Sequence, residues 1–413
     1  MSEWNAYTFE EVCLKITDGA HNSPKSVENG FPMGSVKDMT EFGINIETCR
    51  KISSGDYEKL VNQGCRPQNL DILIAKDGAT AIDTVCIFKG DDEIVLLSSI
   101  AILRPNTKVI NPYFLKHYLS AESTKKYIKG CFTSGAAIPR VVLSDFKKCS
   151  IKIPNLKKQE KIADILSTYD NFIINNNHRI TILEEMAQRL YREWFVHFRF
   201  PGHENVEMVD SEIGMIPEGW HISDVKSCCS VLRRGISPKY NDNATGIVIN
   251  QKCIRNFSIN LELARKQEKT FPAELQVQSG DVLINSTGVG TLGRVAQMYE
   301  NVPNCTVDSH ITLLRPDSNI SYYVGSFFRE KQASIMDMGV GSTGQTELNR
   351  DKIKVLPLLL PDYDTVCLYE EYVGNLMSIK TQLQKKNMIL RKTRDHLLPR
   401  LISGDIDVSS IEL

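Results

Sequence analysis

Apolar residues follow two different rhythms along the chain. Over residues 1–153 and 201–360 they come as short runs, at 72–74, 85–88, 100–103, 247–249 and 311–314, punctuated by Gly, Asn, Asp and Pro. Runs of that length between turn residues predict β-strands. A few helical stretches interrupt them, "PYFLKHYLSAESTKKYI" (112–128) among them. After Pro154 the rhythm becomes helical. Ile162, Leu166, Tyr169, Ile173, Asn176, Ile180, Leu183, Ala187, Leu190 and Trp194 recur at 4-3-4-3 spacing, a heptad stripe. After Pro361 the stripe is Tyr369, Tyr372, Leu376, Ile379 and Leu383. It resumes through Asn387, Leu390, Leu397 and Leu401 after a one-residue slip that behaves as a stutter. Pro154 and Pro361 suit helix starts, and Gly202 and Gly404 suit helix ends.

A narrow apolar stripe flanked by polar residues requires a partner helix, and each of these helices is the nearest partner for the other. Paired antiparallel with matched ends, they set Asn176 opposite Asn387 and Ile180 opposite Leu383. A buried polar pair in such a seam lowers stability and fixes register. About forty helical residues span roughly 60 Å. DNA half-sites one turn apart lie about 34 Å from centre to centre. The pattern therefore predicts a caliper: two globular ends on a rigid spacer.

The chain also repeats itself. "LDILIAKDGATAIDTV" (70–85) matches "GDVLINSTGVGTLGRV" (280–295), and "SSIAILRP" (98–105) matches "SHITLLRP" (309–316). "ITDGAHNSPK" (16–25) resembles "LRRGISPK" (232–239) with a two-residue gap, and Trp4 and Trp220 each open a copy. "SGAAIPRVVLSDFKKCSIKIP" (134–154) aligns with "GSTGQTELNRDKIKVLPLLLP" (341–361). The offset drifts from 216 to 207, so the copies differ mainly in loop length. The repeat disposes of one tempting motif. Gly288, Gly290 and Gly293 have the spacing of a dinucleotide-binding loop, but no helix pattern follows them and the first copy keeps only Gly78. A glycine-rich hairpin, with Gly78 and Gly288 as turn residues, is the expectation.

Composition changes this picture little. The chain has 413 residues, 42% of them hydrophobic and 24% charged, an ordinary globular balance. No apolar run is long enough to span a membrane, and the N-terminus lacks the pattern of a secretory signal. Eleven cysteines are scattered without C-x-x-C pairs, as expected of reduced thiols in a cytoplasmic protein with no disulfide framework or metal site. With 49 basic and 50 acidic residues the net charge is −1, so a nucleic-acid binder would have to concentrate its positive charge locally.

"GMIPEGW" (214–220), "REWFVHFRFPG" (192–202), "QEKIADILSTYD" (159–170) and "LLPRLISGDI" (397–406) together resemble the conserved regions of specificity subunits of type I restriction-modification systems. The tract leading into the conserved helix departs from the usual Glu-Gln ending. It is "IPNLKKQ" in the first copy and "LPLLLPDYD" in the second. The resemblance implies an α+β fold. Two pseudo-repeated mixed α/β target recognition domains, 1–153 and 201–360, are separated by conserved helices at 154–200 and 361–404 that form an antiparallel coiled coil, and a tail covers 405–413. It implies a non-catalytic DNA sequence-specificity subunit whose domains each read one half of a bipartite target in double-stranded DNA. The helices set the spacing and dock two modification subunits. Those partners methylate adenine with S-adenosylmethionine, and restriction (motor-nuclease) subunits use ATP and Mg.

The residues agree with a chain that does no chemistry. There is no Walker-type loop and no Asn/Asp-Pro-Pro-aromatic tetrad, and the eight histidines are dispersed. Asp145-Phe146-Lys147 reads as a surface turn, and His310 of Ser309-His310 as a packed strand histidine. DNA contact is expected from basic and amide-bearing loops: Lys25, Lys37, Lys76, Asp77 and Arg140 in the first copy. In the second it is expected from Arg233, Arg234, Lys239, Tyr240, Lys252, Arg255, Asn285, Thr287, Arg294, Thr343 and Gln345. Arg and Lys neutralise phosphates or read guanine, and Asn and Gln read adenine. The basic tracts 147–161 and 385–400 would face the DNA spacer or acidic partner surfaces. Trp194, Phe195, Phe198 and Phe200 would pack helix against domain or join the methyltransferase interface. Two other readings stay open: a specificity module of a single-protein restriction-methylation system, and a scaffold whose β domains bind proteins.

Overall fold

The computed structural model describes residues 4–77, 81–134, 140–339 and 347–411. The chain divides into two compact units, Met1–Asn176 with Lys386–Leu413, and Asn177–Lys385. Each of the long helices gives part of its length to both.

The units repeat one sheet plan. In the first, strands β1 (Cys13–Asp18), β2 (Ile72–Ala75), β3 (Val85–Ile87) and β4 (Ile100–Pro105) form an antiparallel sheet in the order β1-β4-β2-β3. In the second, β5 (Cys229–Arg234), β6 (Val282–Asn285), β7 (Val295–Gln297) and β8 (Ile311–Pro316) repeat it as β5-β8-β6-β7. The short unbroken apolar runs of the sequence are the inner strands, and every residue of β2 and β6 is buried. A three-stranded mixed sheet lies beside each: Phe31–Gly34 with Arg50–Ile52 and Val95–Leu96, and Gly246–Ile249 with Arg265–Gln267 and Cys305–Val307. A third pairing ties the two ends of each domain together just before its long helix. Asn5–Thr8 pairs with Ser150–Ile153, and His221–Asp224 with Pro357–Leu360.

Residues 281–297 form the hairpin that the repeat indicated. β6 pairs antiparallel with β7 across the glycines. After Gly293 the chain enters a strand, not a helix, so no helix N-terminus faces this loop. Gly293 has φ +77, and a Cβ there would stand 2.8 Å from the Met336 backbone, so the loop demands glycine for both reasons. Gly288 has φ +99; Gly78 lies outside the described residues.

Helix α1 (Leu156–Tyr191) has 36 residues and begins on Asn155, whose side chain accepts from Lys158 N at 3.0 Å. It ends in a π-helical turn, Arg192–Val196. Gly202, read in the sequence as its exit, stands beyond that turn. The turn rotates Trp194 and Phe195 into an aromatic cluster with Trp220, Tyr323 and Tyr369. Phe200 also stacks near Trp220. Helix α2 (Tyr363–Ser403) has 41 residues. The Asp362 carboxylate accepts from Thr365 N at 2.9 Å, and Gly404, at φ +83, ends the helix.

Stretches of the two helices pack together in each unit. In the first unit Ile162, Ala163 and Leu166 share a core with Leu398, Leu401 and Ile402, and Asn176 Nδ2 donates to Asn387 Oδ1 at 2.8 Å. In the second, Ala187, Tyr191 and Trp194 join Val366, Tyr369, Val373 and Met377, and Lys380 pairs with Glu184 at 2.5 Å. Rising numbers on α1 meet falling numbers on α2 in both units, so the stretches run antiparallel. On α1, Ile162, Leu166, Ile173 and Asn176 are buried, and Tyr169, Ile180, Leu183 and Leu190 half-buried. On α2 the sequence stripe is corrected. Ile379 and Tyr372 are exposed and Leu376 is half-buried, while Val373, Met377 and Lys380 line the seam. A charged residue hid the true stripe: the Lys380 stem fills a seam position because its ammonium meets Glu184 and lies over the Tyr299 ring. Leu383 and Asn387 are buried, and Leu390 and Leu397 half-buried.

No helix among the described residues is long and apolar enough to cross a membrane. The described cysteines are free. Burial pushes the thiols of Cys13, Cys49, Cys86 and Cys229 up to about 12, which keeps them protonated and unreactive.

Candidate nucleic-acid interface

The two sheets carry equivalent loops at equivalent ends, and one ion pair stiffens the strands beneath each. Arg104 makes a two-pronged contact to Asp71, at 2.9 Å from both Nε and Nη2. Arg315 does the same to Asp281 at 2.8 Å. Each carboxylate also accepts from a backbone N–H, of Gln68 and of Gln278. These four residues occupy matching places in the repeat, and that is the signal by which the sequence could have flagged them. Burial pushes the Asp281 carboxyl up, against the pull of the Arg315 hydrogen bond.

At the tip the copies keep one backbone link and diverge in side chains. Lys76 N donates to Ser99 O at 2.9 Å, and its equivalent Ser286 N donates to His310 O at 2.8 Å. In the first unit, Lys76 Nζ lies 3.2 Å from Asp18 and 3.5 Å from Asp77, and His21 reaches Asp18 at 3.2 Å. In the second, Arg234 holds the place of Asp18. Its Nη2 meets Glu347 at 2.7 Å and donates to Leu348 O at 2.9 Å. Thr287 Oγ1 sits between His310 Nδ1 at 2.8 Å and Gln251 Nε2 at 2.9 Å. One tip is thus a knot of Asp, Lys and His, and the other an array of Arg, Gln, Thr and His.

Several sequence candidates sit elsewhere than expected. Lys76 is 3% exposed and held between two aspartates, so it is no free phosphate ligand. Asn285 is fully buried and donates to Gln251 O at 3.2 Å, which makes it a brace for the loop and not a base reader. Arg294 folds back, Nη2 donating to Gly290 O at 2.6 Å, and stiffens the glycine loop. His310 is exposed, in the turn before β8, and is not a packed strand histidine. Asp77 and Thr287 stay half-exposed at the tips.

Among the sequence candidates, the exposed cations are Lys25 and Lys37 in the first unit, and Arg233, Lys239, Lys252 and Arg255 in the second. Arg233 pairs with Glu274, and Lys239 with Glu268 at 2.5 Å. Exposed pairs of this kind contribute little and exchange readily for a phosphate. Tyr240 is exposed on one side, with the Arg265 guanidinium 3.4 Å from its ring centre. Arg140 lies in the short strand Arg140–Val141; its side chain, Thr343 and Gln345 lie outside the described residues. Gln251, Arg265 and Glu347 were not among the sequence candidates, because they reach the tip loops only through tertiary contacts with Thr287, Tyr240 and Arg234.

The basic tracts are also corrected in part. Lys158 pairs with Asp407 at 2.8 Å, and Lys161 donates to the carbonyls of Val408, Ser409 and Ile411. Arg394 bridges Asp170 and Glu41, and Lys385 meets Glu300 at 2.9 Å. These cations fasten helix to tail and helix to domain; Lys158 and Arg394 are thereby withdrawn from an outer face, while Lys385 stays exposed. Asp145-Phe146-Lys147 is a helical end, with Phe146 buried against Phe9. Among the described residues no group of three His, Cys, Asp or Glu is placed to hold a metal ion.

Residues 1–185 match the family described as type I restriction modification DNA specificity domain. The MjaIX specificity subunit of Methanocaldococcus jannaschii is 25% identical over 320 residues, 74% of this chain and 72% of its own. The HindI specificity subunit of Haemophilus influenzae is 22% identical, over 98% of this chain and all of its own. The chain is thus similar to type I restriction enzyme specificity subunits over nearly its whole length. A crystal structure of the type I S subunit from M. genitalium shares the fold, with a TM-score of 0.56 at 15% identity over 97% of this chain and 96% of its own.

Proposed function

We propose that this chain gives a type I restriction-modification complex its DNA sequence specificity, with each unit reading one half of a bipartite target. The observation that carries the reading is the duplicated sheet tip with unlike side chains. Asp18, Lys76, Asp77 and Ser99 stand in one copy where Arg234, Ser286, Thr287 and His310 stand in the other. A shared frame with different tips suits two half-sites of different sequence. Hydrogen-bonding side chains held by neighbours are pre-set for base edges, while exposed Lys25, Lys37, Arg233, Lys252 and Arg255 suit phosphates. The long helices would set the spacing between half-sites and dock two modification subunits. S-adenosylmethionine, ATP and Mg would serve those partners and the restriction subunits, and this chain would make and break no bond.

Mapping methylated adenines in genomic DNA, with and without this gene, tests the proposal. The expected result is one bipartite motif, methylated only when the gene is present. Identical methylation in both strains would refute it.

A further inference from the structure

Pro154 aligns with Pro361, and at that offset the buried positions of the two long helices coincide: Ile162 with Tyr369, Leu166 with Val373, Ile173 with Lys380, and Asn176 with Leu383. Equivalent positions are buried alike, yet three polar pairs break the equivalence. Asn176 donates to Asn387 at 2.8 Å, and both are buried; their repeat equivalents are Leu383 and Ile180. Lys380 is 2% exposed and meets Glu184 at 2.5 Å; the equivalents are Ile173 and Arg391. Arg394 meets Asp170 at 2.6 Å; the equivalents are Ala187 and Met377. Each polar group meets a polar partner on the other helix, and that contact is absent from the repeat-equivalent positions.

We propose that these pairs make the two long helices select each other and reject a second copy of themselves. The partner of each helix is then the other helix of the chain, not the like helix of another chain. The repeat dictates what a self-pairing in the same register would look like. A first helix against a first helix would set Ile180 to Asn176, Ile173 to Glu184 and Ala187 to Asp170. A second helix against a second would set Leu383 to Asn387, Met377 to Arg394, and the cation of Arg391 to that of Lys380. Every such pairing removes the cross-helix partner of a buried or half-buried polar group, and it occurs twice in a two-fold pair. Leaving one buried partner unpaired costs more than the pair itself contributes. An all-apolar seam would accept all three pairings; the polar groups exclude two. Asp170 also has Lys116 at 2.6 Å, so the asparagine pair and the Lys380–Glu184 pair carry most of the selection.

The full-length chain can carry the test, with no DNA present. Asn387→Ile with Lys380→Ile installs on the second helix the residues that a first helix would present. Amide hydrogen exchange over 173–187 and 377–390 should then lose protection by about tenfold or more. Adding Asn176→Leu and Glu184→Leu removes the stranded groups and should bring protection back to within about threefold of the parent. Unchanged protection in the first variant would overturn the proposal. So would failure to recover in the second, because the loss would then come from altered packing and not from unmatched polar groups.

Discussion

Asp281 shows how much of this protein is fixed one residue at a time. It is fully buried, and Arg315 and the Gln278 N–H supply its hydrogen bonds. Removing one partner of a buried pair costs about 3–5 kcal/mol. Asp281→Ala should therefore lower stability by that order in denaturant titration, and Asp71→Ala should do the same in the other copy. Glu370 gives a second prediction. Burial pushes its carboxyl up to about 7, against the backbone N–H groups of Tyr322 and Tyr323 that it accepts from. The folded chain thus favours the protonated form. That contribution is complete below the ordinary carboxyl range and is lost as pH rises through about 7. Glu370→Gln keeps the acceptor without the charge. Its melting temperature should vary less than the parent's between about pH 5 and 8 and should exceed it at the upper end. A parallel pH dependence in the two proteins would contradict this. Single-residue roles were the least legible part of the sequence. Lys76 and Asn285 have the chemistry of DNA ligands and are buried as braces, and only tertiary context distinguishes the two.

Elements were far more legible. Periodicity located both long helices, because a helix that buries one face must repeat its apolar residues. It also separated hairpin from cofactor loop once the repeat was considered. It failed on the second helix at Lys380, where a charged residue with a long stem occupies an apolar stripe. It failed again at the end of the first helix, where a π-helical turn carries Trp194 and Phe195 into the aromatic cluster and no local signal marks such a turn. The loop elements carry a prediction of their own. Arg233, Lys252 and Arg255 are exposed in the second unit. Replacing any one of them with Ala should reduce the salt slope of DNA binding by about one, the effect of freeing a single phosphate. Arg234→Ala should in addition loosen the loop, since it removes the bonds to Glu347 and Leu348 O. Unaltered slopes in all three single variants would take these residues out of the interface.

For the whole molecule, internal duplication was the decisive signal, visible in the sequence and in the sheet order of both units. What the repeat could not convey is how the tips of the two copies differ in chemistry. That lies in side chains such as Asp18 and Arg234, which share a position and carry opposite charge. If the two tips read independently, His310→Ala should relax base preference in one half-site and leave the other intact. The most direct measurement is enrichment from a random duplex library by this chain together with the modification subunit that the proposal assigns to it. Two separated blocks of fixed sequence at one constant spacing are the result expected. A single uninterrupted motif, or no motif at all, would contradict the account.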